Sequence, residues 1–256
     1  MSKFDLHIHS CYSESPTGKI GNKIFGPPSK SLPEQIIQTA LKRGLDVIAV
    51  ADHDNILGSL RTIEVAEKKY KNKILVVPAV EVSSGWGHIL AYNVYENIPK
   101  GLSVKDTLKK IKKKGCYAVA AHPFEPSPSL GKEELIEYKK DFFGVEGVNA
   151  CSPRNEMVLD FAKKNKIPYT VGSDAHNLDM IGLYHDITKK KIGTLDDFWR
   201  MIKKQEIDRI HTSTINPYLR IVKTAVPSFF YWKGQQTKHI FDKDVFLPYL
   251  DNLPIR

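Results

Sequence analysis

The 256-residue sequence has only three cysteines, and they lie far apart. Cys11, Cys116 and Cys151 form no Cys-x-x-Cys pair, so their spacing predicts neither a zinc finger nor a disulfide framework. Cys116 and Cys151 occur in apolar, strand-like segments, where a free cysteine usually serves as a small core residue. Cys11 follows closely after a pair of histidines, and its role stays open on the sequence alone.

Long apolar runs are also missing. No stretch approaches the roughly 20 apolar residues that a membrane-spanning helix needs. The first residues lead directly into a candidate strand, and no secretion signal is recognisable there. Because 41% of the residues are hydrophobic and 26% are charged, the composition is that of a soluble globular protein. We therefore expect a cytoplasmic protein with no membrane partner.

Acidic residues are outnumbered by basic ones, 29 to 38, which gives a formal net charge of +9. An excess of positive charge favours anionic partners in general. Much of it comes from lysine runs at 109–114 and 189–191, and such runs more often form solvated helix faces than nucleic-acid-binding patches. Nucleic acid is therefore a possible partner, and the sequence predicts no oligomeric state.

Strand-like and helix-like segments alternate over most of the chain. A continuous apolar run at 47–51 indicates a strand that is buried on both faces. Further strands are predicted at 4–10, 74–82, 88–94, 117–122, 143–149, 169–173 and 185–188, with helices at 57–70, 104–114, 155–164 and 195–203. A helix after Ser31, with Pro33 in its first turn, is predicted to be capped by that serine. This alternation predicts parallel β-α units in a doubly wound sheet or a barrel.

The C-terminal forty residues have a different pattern. Residues 217–226 are predicted to be helical, and an aromatic cluster follows at 227–232. Because aromatic clusters are usually buried, we expect this segment to pack on the main domain. We therefore predict one main β-α domain over residues 1–215, interpreted as a barrel, and a packed extension over residues 216–256.

Histidine and carboxylate side chains recur where the predicted strands end. His7 and His9 are two apart on a strand, so they project from the same face. In parallel α/β barrels the carboxyl ends of the strands form one face, which carries the active site. Six of the nine histidines lie at such ends. The residues in question are His7, His9, Asp52, His53, Asp54, Glu81, His88, His122, Glu146, Asn149, Asp174 and His176.

The chemistry of these side chains predicts a metal site. Imidazole and carboxylate ligands without thiolate suit zinc, manganese or iron in a catalytic role. There are more ligands than one ion requires, which predicts two or three divalent ions bridged by carboxylates. Clustered divalent ions are typical of phosphoester hydrolysis, where they bind the phosphate oxygens and generate a hydroxide nucleophile.

Five segments, in order, resemble the motifs of the PHP (polymerase and histidinol phosphatase) family. They are Asp5-Leu6-His7-Ile8-His9-Ser10, Ala51-Asp52-His53-Asp54, Val80-Glu81-Val82-Ser83, Ala121-His122-Pro123 and Gly172-Ser173-Asp174-Ala175-His176. The resemblance covers residues 1 to about 190. It implies an α/β fold, a distorted (β/α)7 TIM-like barrel, with two or three metal ions at the carboxyl ends of its strands.

The resemblance also implies which residues hold each ion. His7, His9, Glu81 and Asp174 would hold one ion, Glu81, His88 and His122 a second, and His53 and His176 a third. Family members usually place an Asp or a His a few residues after the His-x-His pair. This chain has Glu14 nearest to that position, and we take Glu14 as the candidate for the remaining ligand of the third ion.

We expect a metal-dependent phosphoesterase that hydrolyses a phosphate mono- or diester by attack of a metal-bridging hydroxide. The substrate would be a nucleotide, an oligonucleotide or a small phosphorylated metabolite, with histidinol-phosphatase-like phosphomonoesterase activity as an alternative. An alternative of another class is a non-catalytic, metal-stabilised nucleic-acid-binding module. The residues that could assist the leaving oxygen are Asp174, His176 and His53.

Other residues near the predicted strand ends have two interpretations each. Arg154 could hold a phosphate through its bidentate guanidinium, with Asn149 as a second substrate contact, or it could be a helix-surface residue. His88 could be a core histidine rather than a ligand. Asp52 and Asp54 could accept hydrogen bonds that orient an imidazole, whereas Asp5 could be a buried partner of a neighbouring strand. The loop at 12–30 could cover the site and select the substrate.

Overall fold

The computed structural model describes residues 1–15, 27–125 and 128–212, with side chains described as far as residue 208. The predicted C-terminal extension and its aromatic cluster lie outside the described residues, as does most of the 12–30 loop. The domain division at residue 215 therefore stays a prediction. Within the described part of the chain, no helix is long and apolar enough to cross a membrane.

A curled nine-stranded sheet forms the centre of the fold, with the strands in the order β7-β6-β5-β4-β3-β2-β1-β8-β9. A parallel bridge between Ile8 and Ala175, and a 2.8 Å hydrogen bond from His9 N–H to the Ala175 carbonyl, bring the end of β7 beside β1. The first seven strands therefore form a distorted barrel, as expected. The strands are β1 Lys3–Ile8, β2 Val47–Val50, β3 Leu75–Ser83, β4 His88–Tyr92, β5 Tyr117–Ala120, β6 Gly144–Asn149, β7 Tyr169–Gly172, β8 Tyr184–Thr188 and β9 Ile207–Thr212.

Two strands, β4 and β8, depart from the parallel arrangement that the alternating pattern predicts, since β8 is antiparallel to β1. β3 and β4 form a hairpin, and β4 is antiparallel to both β3 and β5. Only four residues join the two strands, too few for the crossover that a parallel pair requires. Because β4 runs backwards, its first residue, His88, lies at the same edge of the sheet as the carboxyl ends of its neighbours.

Six α-helices connect the strands, and their bounds agree with the sequence predictions to within one or two residues, except for α4, which was not predicted. Leu32, rather than Ser31, occupies the capping position of the first helix, so the predicted serine cap is wrong. Leu32 N–H instead donates to Gln35 Oε1 at 3.1 Å. The helices are α1 Pro33–Lys42, α2 Leu57–Lys69, α3 Val104–Lys113, α4 Lys132–Glu137, α5 Asn155–Asn165 and α6 Leu195–Lys204.

The hydrophobic core lies on both faces of the sheet. In β2, Val47 and Ala49 pack in one buried cluster and Ile48 and Val50 in another, so this strand is buried on both faces as predicted. Aromatic side chains of α6 pack against the strands, with the Phe198 ring 5.3 Å from that of Phe4. None of the three cysteines forms a disulfide, and the two that were predicted to be core residues, Cys116 and Cys151, pack against buried hydrophobic clusters.

Candidate metal centre

Histidine and carboxylate side chains from six strands converge at one edge of the barrel. Three overlapping groups of potential ligand atoms, each within 4.8 Å of one another, occur among the described residues. With the neighbouring carboxylate and imidazole contacts, the structure brings together all the predicted ligands except Glu14. These are His7, His9, His53, Glu81, His88, His122, Asp174 and His176.

The first group surrounds the His-x-His pair of β1. The Nε2 atoms of His7 and His9 lie 3.1 Å apart, and His7 Nε2 is 3.2 Å from Glu81 Oε2. Asp174 Oδ1 lies 3.2 Å from His9 Nε2 and 3.6 Å from His7 Nε2. A tetrahedral ion with bonds of about 2.1 Å holds its ligands roughly 3.4 Å apart, so the spacing of these four atoms suits one ion.

Glu81 divides its two oxygens between neighbouring groups. Oε2, which faces the β1 histidines, also lies 3.0 Å from His53 Nδ1. Oε1 lies 3.0 Å from His88 Nδ1 and 3.1 Å from His122 Nε2. The side chain is fully buried. This arrangement suits a carboxylate that would bridge two ions.

The third group contains His9, His53 and His176. The ring of His9 lies between the other two, with centroid distances of 4.6 Å to His53 and 4.3 Å to His176. The side chain of His176 is 29% exposed, so this group lies on the solvent side of the centre. His9 and His53 thus each belong to two groups, whereas the resemblance assigned each of them to one ion.

Two buried imidazole nitrogens are better suited to metal coordination than to hydrogen bonding. His53 Nδ1 and His88 Nδ1 have no hydrogen-bond partner in the described part of the chain. Each lies 3.0 Å from a Glu81 oxygen, but the angle is unsuitable for a hydrogen bond. A buried polar atom without a partner destabilises the fold, and coordination to an ion would satisfy it.

Glu146 of β6 is a central residue of the site, although the sequence placed it at a strand end without predicting its role. Its Oε1 accepts a hydrogen bond from His7 Nδ1 at 2.9 Å. Its Oε2 accepts from the His122 backbone N–H at 2.8 Å and from the Asn149 amide at 3.0 Å. A carboxylate on Nδ1 fixes the imidazole tautomer and leaves Nε2 free for a metal. A charged residue within an otherwise uncharged, buried strand was the available signal.

Glycine is required where β7 passes the Glu146–His7 pair. A Cβ on Gly172 would lie 2.4 Å from the Cβ of His7 and 2.5 Å from Glu146 Oε1. These contacts are closer than real side chains allow. The absence of a side chain at this position therefore permits the hydrogen bond between Glu146 and His7.

Two further side chains hold the ligands in place. Asn149 donates through Nδ2 to Glu146 Oε2 and, at 3.2 Å, to Asp174 Oδ2, so it links a supporting carboxylate to a ligand. Its role in substrate binding stays a prediction. The Ser13 hydroxyl lies 3.3 Å from His9 Nδ1 and accepts from the His53 backbone N–H at 3.0 Å. No periodicity in the sequence identifies Ser13, because it lies in a loop.

The aspartates that flank His53 do not orient an imidazole, so that expectation is wrong. Asp52 accepts from the backbone and hydroxyl of Ser10, at 2.5 and 2.6 Å. Asp54 accepts from the backbone and hydroxyl of Ser83, both at 2.8 Å. Successive side chains at a strand end point to opposite sides, so only His53 faces the centre.

Asp5 is a buried partner of a neighbouring strand, one of the two interpretations that the sequence allowed. It accepts from the Ser173 backbone at 2.9 Å, from the Ser173 hydroxyl at 2.6 Å and from Gly182 N–H at 2.7 Å. Burial raises the pKa of Asp5 to about 6 and that of Asp52 to about 7, although the serine hydrogen bonds act in the opposite direction.

Glu14 has a partner outside the centre. Its Oε2 lies 2.7 Å from Lys100 Nζ, and it belongs to none of the three groups formed by the described residues. Cys11 is also outside these groups, and burial raises the pKa of its thiol to about 12, so it is protonated at neutral pH. Arg154 is exposed immediately before α5. The roles of Glu14 in metal binding and of Arg154 in phosphate binding stay predictions.

The charges within the centre suit cation binding. Burial lowers the pKa of His53 to about 4, so its ring is neutral and can donate a lone pair. Burial would raise the pKa of Asp174, but the facing imidazoles, above all that of His7, hold it well below its usual value. Burial would lower the pKa of His122, but its hydrogen bond to Glu81 and the charge of that carboxylate raise it to about 9. A cation would compete with this proton.

Two ligands have left-handed backbone conformations. His122 has φ of 27° and Asp174 has φ of 51°, values that residues other than glycine rarely adopt. Each residue lies two positions beyond the end of its strand, β5 or β7. Local strain of this kind persists where surrounding contacts fix the backbone, and it is common at functional sites.

Comparison with known families and proteins gives several matches to this chain. Residues 153–207 match the family model described as PHP-associated. An uncharacterised protein of Methanocaldococcus jannaschii is 36% identical over 148 residues, which are 58% of this chain and 82% of that protein. A 5'-3' exoribonuclease of Haemophilus influenzae is 28% identical over 116 residues, which are 44% of this chain but only 36% of that protein.

Solved structures show the same fold at low sequence identity. A two-domain protein of Bacteroides vulgatus, described as containing a predicted PHP-like metal-dependent phosphoesterase, matches with a TM-score of 0.64 at 17% identity, over 80% of this chain and 63% of that one. A lesion-specific endonuclease of Pyrococcus furiosus matches with a TM-score of 0.54 at 19% identity, over 79% of this chain and 56% of that one.

Proposed function

This chain belongs to the PHP domain family, and from that premise we propose that it is a metal-dependent phosphoesterase. The observation that carries the proposal is Glu81, a fully buried carboxylate whose two oxygens lie 3.0 to 3.2 Å from the imidazoles of His7, His53, His88 and His122. One carboxylate shared by so many imidazoles is suited to hold adjacent divalent ions. Paired ions at short spacing are the usual centre for phosphoester hydrolysis.

We assign the ligands of these ions as the family resemblance implies, with the contacts of Asp174 and His122 in support. His7, His9, Glu81 and Asp174 would hold one ion. A second would be held by His88 and His122 with Glu81, and His53 and His176 would hold a third. Nitrogen and oxygen donors of this kind accept zinc, manganese and iron. When bound, such ions polarise phosphate oxygens and activate water for attack on phosphorus.

The protein's own residues fix this geometry and handle the protons. Glu146 keeps the His7 proton on Nδ1, and Asn149 orients Asp174. His176 Nδ1 lies 3.0 Å from the Asp174 carbonyl, which assigns its proton to that atom and leaves Nε2 at the solvent side of the centre. When no third ion occupies Nε2, His176 is placed to exchange a proton with a leaving oxygen, with His53 and Asp174 as the alternatives.

Nucleotides or oligonucleotides are the substrates that we favour. The relative from Haemophilus influenzae is named as an exoribonuclease, and this chain has a net charge of +9 that attracts phosphate anions. Phosphorylated small metabolites are the second class to include in a substrate panel.

The test combines metal analysis with hydrolysis of a generic monoester and diester, p-nitrophenyl phosphate and bis(p-nitrophenyl) phosphate. Protein purified without chelators is expected to contain at least two equivalents of zinc, manganese or iron. His9→Ala and Asp174→Ala are expected to abolish hydrolysis, because each removes a ligand of the first ion. His185→Ala is the matched control, since His185 lies on β8 and outside the three groups. Full activity in either ligand variant would exclude the proposal.

A further inference from the structure

Trp86 is the most exposed aromatic side chain in the described part of the protein. It is 73% exposed, whereas the other described tryptophan, Trp199, is 2% exposed. Tryptophan is usually buried to a large extent, because its indole has more apolar area than any other side chain. An indole left in solvent is therefore a feature that needs a functional reason.

Trp86 lies at the edge of the barrel that carries the candidate metal centre. It is in the turn at 84–87 that joins β3 to β4, and the last pair of residues in this hairpin is Ser83 and His88. Trp86 is two residues from His88, so their Cα atoms are at most about 7 Å apart. The indole is thus attached to the chain two residues before His88, whose imidazole contacts Glu81.

The turn that carries Trp86 is held firmly on both sides. Ser84 N–H donates to the Gly87 carbonyl at 3.0 Å, and Gly85 N–H donates to the Leu102 carbonyl at 2.7 Å. On the other side, Gly87 is so close to the backbone of Ser129 that a Cβ there would lie 2.6 Å from the Ser129 carbonyl carbon. Because the backbone of the turn is already fixed, ligand binding to Trp86 costs little conformational entropy of this turn.

We propose that Trp86 is a stacking platform for the base of a nucleotide whose phosphate lies at the metal centre. The proposal rests on the proposed phosphoesterase function and narrows its substrate class to phosphoesters that carry a nucleobase. A flat, exposed indole binds the π-face of any base, so it selects for a base without selecting its identity. In a nucleotide a single ribose separates phosphate from base, so a platform for the base must lie close to the metal centre, as the turn at 84–87 does.

The test compares two substrates that differ only in the base, AMP and ribose 5-phosphate. In Trp86→Ala the ratio of kcat/KM for AMP to that for ribose 5-phosphate is expected to fall about 5- to 150-fold. Trp86→Phe keeps an aromatic face and is expected to retain most of the ratio. If only diesters are hydrolysed, the pair becomes the dinucleotide ApA and its doubly abasic counterpart.

Tyr95→Ala is the matched control for the loss of an exposed aromatic side chain. Tyr95 is 61% exposed but follows the far end of β4, at the opposite edge of the barrel. The substrate ratio in this variant is expected to equal that of the wild type. A similar fall in both variants would overturn the assignment to Trp86.

The outcomes separate this proposal from the proposed function. If both substrates are hydrolysed and Trp86→Ala leaves the ratio unchanged, the platform is refuted and the phosphoesterase stands. If neither is hydrolysed, calorimetric titration of AMP into metal-loaded protein decides: weaker binding in Trp86→Ala supports the platform, and equal binding refutes it. If the substitution changes only the oligomeric state in sedimentation, Trp86 is a contact between copies and the platform is refuted.

Discussion

Glu146→Gln tests how the protein prepares a ligand for its metal. Two donors, the His122 N–H and the Asn149 amide, point at Oε2, whereas His7 Nδ1 faces Oε1. A glutamine has one oxygen, and the two donors would hold it on their side. Its NH2 group would then face His7 Nδ1 and force that nitrogen to accept, which moves the histidine proton to Nε2.

The expected consequence is weaker metal binding without loss of the fold. His7 Nε2 is the atom that lies 3.1 Å from His9 Nε2 and 3.2 Å from Glu81 Oε2, so a proton on it blocks the ligand position of the first ion. Loss of a supporting carboxylate typically costs 10- to 100-fold in metal affinity. This corresponds to about 1.4–2.8 kcal/mol in the free energy of binding.

The assay is a competition titration against a chromophoric chelator, which gives the affinity of each ion, together with thermal unfolding of the metal-free protein. Glu125→Gln is the matched control, because Glu125 hydrogen-bonds to Ser152 and belongs to none of the ligand groups in the described part of the chain. Unchanged affinity in Glu146→Gln would refute the reasoning. A large fall in the unfolding temperature of the metal-free variant would instead show that Glu146 acts on stability.

Three other predictions follow from the same geometry. Removal of the metals by a chelator is expected to lower the unfolding temperature measured by calorimetry. An ion present at 100 times its Kd stabilises the folded state by about 2.7 kcal/mol, which corresponds to a shift of roughly 5–11 °C for a domain of this size. Gly172→Ala is expected to lower both stability and metal content, because its Cβ would lie 2.4 Å from that of His7; normal metal content by elemental analysis would contradict this. Cys11→Ser is expected to leave metal content unchanged, because burial raises the pKa of this thiol to about 12 and it contacts no ligand group in the described region.

The ligands could be predicted from the sequence because strands present side chains in a fixed alternation. His7 and His9 share a face for that reason, and Glu81 and Asp174 follow from the rule that active sites lie at the carboxyl ends of barrel strands. His88, the first residue of β4, lies at the same edge only because β4 is antiparallel to its neighbours, which the sequence did not predict. Strand direction depends on the length of the connection, and here four residues force a hairpin.

The supporting residues could not be predicted in the same way, because their partners are distant in the chain. Glu146 and His7 are 139 residues apart, and their hydrogen bond depends on the space that Gly172 leaves. Glu14 was chosen for its distance along the sequence from the His-x-His pair. In three dimensions a lysine, Lys100, is its partner instead.

Three aspartates near the ligands, Asp5, Asp52 and Asp54, show how the centre keeps its shape. Three Asp–Ser pairs join neighbouring strands at the ligand edge: Asp5 with Ser173 joins β1 to β7, Asp52 with Ser10 joins β2 to β1, and Asp54 with Ser83 joins β2 to β3. In each pair the aspartate accepts from both the backbone and the hydroxyl of the serine.

Each of these serines lies within two residues of a ligand, so each pair fixes one ligand-bearing strand end against the next. Ser173 precedes Asp174, Ser10 follows His9, and Ser83 is two residues beyond Glu81. The distances between ligands on different strands are therefore set by hydrogen bonds within the protein, before any ion binds. For this reason the substitution of Glu146, which changes the protonation of one ligand and leaves these pairs intact, should weaken metal binding while the barrel remains folded.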